Sequence, residues 1–387
     1  MGKKRKRTIE KFLNDELSES EIRELKTWLE KPENKDFLKN EIQLYHLINN
    51  SILSFDSLKA YNKTKDTLDH KKRVSSISFN ALLKYAMAAV IVFLVSITIF
   101  FNKDKLFKTG VEVVDTNTSE IRTDRATLTL HDGSEVLLEK GEKFVSNTVL
   151  SNGEELIYND SAHIKDEIVF NCLTVPRGGK YFIKLSDGTQ VWLNSESKLK
   201  YPVSFKNGES REVELVYGEA YFDVSPSTKH NGTRFRVLSG LQNIEVLGTE
   251  FNVKAYGGEN EIYTTLVEGK VSVSIINYTT QFLKPGELSV FNKETKEVVV
   301  SKVDVFSETI WRRGFFSFKN KTLKDIMKSL SRWYNVDVVF EDTELENVQF
   351  TGVIRRNQNI EEILTLIKDT KSISAYEIKN KTILLKK

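Results

Sequence analysis

One cysteine, Cys172, stands in 387 residues, so no disulfide can close within the chain. The two or three domains that this length allows must then fold on hydrophobic cores alone. Histidine is also scarce: His46, His70, His131, His163 and His230 are scattered, and none has metal-ligand spacing, so no metal is expected. A serine nucleophile would need a Gly-x-Ser-x-Gly elbow or a well-placed Ser-x-x-Lys, and the chain offers neither in usable form. Arg177-Gly178-Gly179-Lys180 lacks the earlier glycine of a phosphate loop, a Ser or Thr after the lysine, and a following helix pattern. Its glycines are expected to make a tight turn before a strand at Tyr181. Asp187 and Glu196 could be imagined as an acid–base pair, but on hairpins such residues serve as turn formers or exposed charges. No catalytic residue and no cofactor is read, and an enzyme is not expected.

Charge of one sign is missing too, with 57 Lys and Arg against 54 Asp and Glu. The excess is local: residues 1–84 hold 18 basic and 13 acidic side chains. The run Lys3-Lys4-Arg5-Lys6-Arg7 has no recognition helix or aromatic stacking pattern beside it, so direct nucleic-acid binding is not expected. Lying near anionic lipid or in solvent suits it better.

One long apolar run is present, Tyr85 to Phe101, without a single charge. As a helix it measures about 26 Å, and Ala81 to Lys84 extend it to about 31 Å, close to a bilayer's hydrocarbon core. The expectation is one transmembrane helix over residues 81–103. A cleaved signal peptide fits badly, because the run starts far from the N-terminus and is followed by Asn102 and Lys103. Lys65, Lys71, Lys72, Arg73 and Lys84 precede it, and Lys103, Lys105 and Lys108 follow, which puts the N-terminus in the cytoplasm. In a bacterium, residues from about 110 onward would then lie outside the inner membrane.

Before that run, residues 1–80 read as a small helical domain. Ser18 with Glu21 forms a capping box that starts a helix, and Ile22, Leu25, Trp28 and Leu29 fall on one face. Pro32 and Asn34 mark its exit, before a second helix bearing Leu38, Ile42 and Tyr45. Ile9, Phe12 and Leu13 add a shorter apolar face. So thin a core leaves apolar surface for a partner to cover.

From 110 to 305 short alternating strands and turn signals predict an all-β sandwich or roll. Leu128–Leu138 and Ile183–Leu193 each carry Asp-Gly between apolar runs, a hairpin signature repeated as a weak internal echo. Val213 to Leu215 and Ala220 to Val224 read as two strands separated by Gly218. From 312 to 387 the pattern becomes strand, helix, strand, twice. Leu323, Ile326, Met327 and Leu330 recur 37 residues later as Ile360, Ile363, Leu364 and Ile367, each quartet one face of a helix. Two strand-helix-strand units in one α+β sheet domain are predicted. The expected fold class is therefore a multidomain membrane protein: a small all-α N-terminal domain, one transmembrane helix, an all-β domain and a C-terminal α+β domain.

Val175-Pro-Arg-Gly-Gly-Lys-Tyr181, Leu185-Ser-Asp-Gly-Thr-Gln-Val-Trp-Leu-Asn-Ser-Glu-Ser197, Tyr201-Pro202, Gly218-Glu-Ala-Tyr-Phe-Asp-Val224, Val246-Leu-Gly-Thr-Glu-Phe-Asn-Val253 and Pro285-Gly286 follow one another in an order that resembles the FecR family of anti-sigma factors. Trp311-Arg-Arg-Gly314, Arg332-Trp-Tyr334 and Phe350-Thr-Gly352 are similar to an extra C-terminal domain of that family, itself like the short signalling domain of secretins and TonB-dependent transporters. Phe12 to Ser18 with Trp28-Leu29 resembles the family's cytoplasmic sigma-binding helices. The resemblance implies a signal relay. A TonB-dependent outer-membrane transporter presents its signalling domain to the outer part of the protein, and the inner helices then release an extracytoplasmic-function sigma factor. If those helices bind sigma, Phe12, Leu13, Leu25, Trp28, Leu29 and Tyr45 divide between internal packing and the interface, with Trp28 as the anchor. No transporter-contact residue is nominated. The rival expectation is a membrane-anchored carbohydrate- or peptide-binding module using exposed aromatics such as Trp192 or Tyr201.

Overall fold

The computed structural model describes residues 19–30, 34, 38, 125–139, 141–146, 149–158, 168–275 and 280–387. The chain divides into two units, residues 1–51 with 121–387, and residues 52–120; every described residue belongs to the first. Helix α1, Glu19–Trp28, begins directly after Ser18. It ends where Asn34 donates from Nδ2 to the Trp28 carbonyl at 2.7 Å, satisfying one of the acceptors that a helix end leaves free.

Two sheets, nearly all antiparallel, make the β domain, and they share one strand. The first half of Arg211–Asp223 pairs with Ser197–Pro202 and, in parallel, with Phe235–Ser239. The second half pairs with Gln190–Leu193 and Glu250–Ala255 in the other sheet. What was expected as two strands is one, bent at a bulge between Leu215 and Tyr217 and at Gly218. Gly218 sits at φ +104°, and a Cβ there would lie 2.4 Å from the Ser197 Cα, so only glycine lets the two backbones approach this closely. Alternating side chains from both sheets fill one core, including Leu128, Ile183, Leu199, Phe222, Phe235 and Phe251. Both Asp-Gly stretches form the expected hairpins: Arg125–Thr129 with Glu135–Glu139, and Tyr181–Lys184 with Gln190–Leu193.

Helix α2, Val305–Thr309, and a 3-10 turn, Ile310–Arg313, connect to the C-terminal domain. There α3, Leu323–Tyr334, and α4, Ile360–Asp369, bury both repeated quartets in a second, separate core. Asparagine and threonine caps start them: Thr322 accepts from the Asp325 amide, and Asn359 from the Glu361 amide. The single sheet expected here is instead two. Phe315–Thr322 pairs with Gln349–Arg355, the strands that precede the two helices. Asp337–Phe340 runs parallel to the last strand, Thr382–Lys386, which also holds Ala375–Lys379. The strands before the two helices pair with each other, and the strands after them both pair with the last strand, which makes two sheets.

The expected fold class is corrected by this structure. Strand is the dominant element, and among the described residues no helix is long and apolar enough to cross a membrane. The longest described helix, α3, has 12 residues, about 18 Å, and one charged face. The run Tyr85–Phe101, on which the expectation of a transmembrane helix rested, lies outside the described residues.

Candidate functional site

Most of the quoted motifs supply residues to one place, the seam between the β domain and the C-terminal domain. Arg177 and Gly178 occupy the turn between Phe170–Val175 and Tyr181–Lys184, and this turn grips the end of α3. Gly178, at φ +79°, donates its N–H to the Arg332 carbonyl at 2.7 Å. Arg177 Nη2 donates to the carbonyls of Ser331, at 3.0 Å, and Val336, while Nη1 reaches Asp337 Oδ1 at 2.8 Å. A cation and an N–H at the C-terminus of a helix meet its last carbonyls and the negative end of its dipole. The glycines do make the expected tight turn, and they also bring the backbone within reach of another domain.

Arg332 makes the second contact. Its Nη2 lies 2.5 Å from Glu259 Oε1 and its Nε 3.3 Å from Glu196 Oε2, with the guanidinium 3.6 Å above the Tyr256 ring. Burial alone would raise the Glu259 carboxyl, but Lys254 and Arg332 outweigh it and hold the group below its ordinary value of 4.5. The stabilisation this pairing gives is complete above the ordinary value and is lost as the pH falls through the lower folded value. Glu259→Gln should therefore lower thermal stability at pH 7, and the gap from wild type should close steadily below about pH 4. Parallel melting curves across that range check it; a gap independent of pH contradicts it.

Arg356 makes the third, and is 4 % exposed. Nη2 donates to Asn194 Oδ1 at 2.8 Å, and the guanidinium lies 4.2 Å from the Trp333 ring centre and 4.7 Å from that of Phe316. Burial pushes it down to about 10, opposed by Glu219, so it stays charged at neutral pH. The countercharge arrives through amides: Asn194 Nδ2 donates to Glu219 Oε2 at 2.7 Å, and Asn252 Nδ2 to Glu219 Oε1 at 3.0 Å. Trp311 Nε1 donates to Asn252 Oδ1 at 3.3 Å, closing the chain from the connector. Beside it Arg312 lies 3.3 Å over Tyr221 and 5.1 Å from Trp192, a cation on aromatic faces. A cleft of about 530 Å³ opens along the seam, lined by Glu219, Lys254, Glu259, Trp311, Arg332 and Arg356 among others.

This arrangement compensates charge and holds two domains together. Among the described residues no group of three or more His, Cys, Asp or Glu could hold a metal ion. Asn194, Glu219 and Asn252 sit inside quoted motifs without having been singled out. Glu219 and Asn252 carried a signal, polarity at strand positions between apolar or small residues; Asn194, just past the end of its strand, did not. Arg356 had no such signal.

Two family models match the chain, one described as FecR protein over residues 172–272 and one as FecR, C-terminal, over residues 315–385. These two regions of the chain are FecR-type domains. Two solved structures of a candidate anti-sigma factor from Parabacteroides distasonis ATCC 8503 are similar to it, both at 28% identity. One has a TM-score of 0.51 and covers 56% of this chain and 98% of its own; the other has 0.50, 56% and 99%. No curated protein matches at a significant level.

The seam joins the two matched FecR-type regions. Three of the residues expected to bind sigma are described. Leu25 is buried on α1, while Trp28 and Leu29, three and four positions on, are half-buried. Phe12, Leu13 and Tyr45 lie outside the described residues. The aromatics of the rival binding module are not a free platform. Tyr201 is fully buried with its hydroxyl 3.1 Å from that of Tyr158, and Trp192 packs among Phe182, Tyr221 and Arg312.

Proposed function

We propose that this chain is an anti-sigma factor that controls transcription by holding a sigma factor of the extracytoplasmic-function class. One observation carries the reading: a FecR β domain and a FecR C-terminal domain occur in one chain, and a similar protein of solved structure is described as a candidate anti-sigma factor. The sigma factor is bound by the N-terminal residues: Phe12, Leu13, Trp28, Leu29 and Tyr45 are the interface candidates, and Leu25 belongs to internal packing. The β and C-terminal domains receive the signal from the signalling domain of a TonB-dependent outer-membrane transporter. The proposed location puts the N-terminal residues in the cytoplasm and the two signal-receiving domains outside the inner membrane. It rests on the count of Lys and Arg on either side of residues 85–101.

The test is deletion of the gene. Transcription from the promoters of the partnered sigma factor should rise several-fold without inducer, and the full chain supplied in trans should restore the low level. Unchanged transcription in the deletion strain contradicts the reading.

A further inference from the structure

Each domain at the seam keeps its own hydrophobic core, and the two cores have no residue in common. What joins them is mostly polar: Arg177 and Gly178 on the end of α3, Arg332 between Glu259 and Glu196, and Arg356 on Asn194. Groups of this kind recover hydrogen bonds from water when parted, whereas a shared apolar core would not, and polar interfaces between domains are the ones that move. Arg356 adds a reason to part. Among the described residues its Nε and Nη1 meet no acceptor although the side chain is almost wholly buried, so closure holds a charge that water would solvate better.

The chain also has a pivot. Trp311 and Arg312 stay with the β domain through Asn252 and Tyr221. Gly314, at φ +84°, follows directly and ends the 3-10 turn, and the C-terminal domain starts at Phe315. A glycine between two packed elements can absorb the backbone change of a hinge.

We propose that the seam is a latch: it opens as a unit about Gly314, releasing the C-terminal domain from the β domain while both cores stay folded. Opening uncovers the Arg177 turn, the end of α3 and the buried Arg356 together, so a partner that binds any of them shifts the equilibrium of all. Use of that opening to receive the signal rests on the anti-sigma reading; the opening itself does not.

Hydrogen exchange of the full-length chain, followed by mass spectrometry, tests it without a sigma factor, so its failure and the failure of that reading are distinct. Segment 177–180, whose Gly178 amide donates across the seam, should exchange at least tenfold faster than segments 190–193 and 326–334 in the two domains. A bridge across the seam supplies the control. A Cβ at Gly178 would lie 3.8 Å from the Asn335 Cβ, the usual separation across a disulfide. With Cys172→Ser removing the native thiol, Gly178→Cys plus Asn335→Cys should slow seam exchange to the rate of the cores when oxidised, and reduction should restore it. Both sites have positive φ, so Arg177→Ala serves if the bridged chain does not fold. It should speed seam exchange several-fold and leave the cores unchanged. If the wild-type seam exchanges only at the rate of the cores, the latch does not open and the proposal fails.

Discussion

Asp187→Ala should destabilise the β domain by about 3–5 kcal/mol, the largest effect expected of any single substitution here. Asp187 Oδ2 lies 2.7 Å from Arg211 Nη1, and both side chains are 2 % exposed. The same carboxylate takes the Thr189 N–H at 2.9 Å and its hydroxyl at 2.8 Å, so the turn residue also anchors an ion pair inside the domain. Arg211 further donates to the carbonyls of Ser225 and Thr233 and lies 5.4 Å from the Phe235 ring. Without Asp187 the guanidinium keeps its place but loses its countercharge, and an uncompensated buried charge costs far more than a lost turn contact. Thermal unfolding should fall by about 10 °C. Asp187→Ala combined with Arg211→Met should recover much of the loss, because an apolar pair of similar volume needs no countercharge. A single variant less than about 1 kcal/mol below wild type would show that the pair does not matter.

Trp28→Ala carries the second large effect, on binding rather than folding. Truncating an aromatic anchor at an interface commonly costs about 2 kcal/mol or more, which is about a thirtyfold loss of affinity. Trp28 suits that role because it is half-exposed at the end of α1, whereas Leu25, on the same face, is buried and belongs to packing. Sigma binding should weaken about thirtyfold with the helical circular dichroism unchanged. Leu25→Ala should instead lower the helical signal. Equal affinity of wild type and Trp28→Ala, with the fold intact, removes Trp28 from the interface.

Local and periodic features were legible in the sequence. Asp132-Gly133 and Asp187-Gly188 announce hairpins because the turn needs positive φ and a side-chain acceptor, and both turns form. The two apolar quartets announce α3 and α4 because burial of one face has a period, and Pro32 with Asn34 announces the end of α1. The difference between the two hairpins was not legible: Asp132 is exposed and bonds only locally to Ser134, while Asp187 meets an arginine 24 positions away. The seam was hidden for the same reason. Arg177 meets Asp337 160 positions on, and Arg356 meets Asn194 162 positions back. Polar contacts between domains leave no period, and only the run of family motifs pointed at them. The bend at Gly218 looked like a break between strands, because glycine serves a turn and a close approach equally well. The two sheets of the C-terminal domain were read as one because repeats show which segments are alike, not which strands pair.

Purification of the full-length chain from its own cells, with mass spectrometry of whatever accompanies it, tests the central claim most directly. The account predicts a sigma factor in one-to-one ratio with the chain, lost from the Trp28→Ala variant. Intact chain recovered from uninduced cells with no sigma factor bound would contradict it.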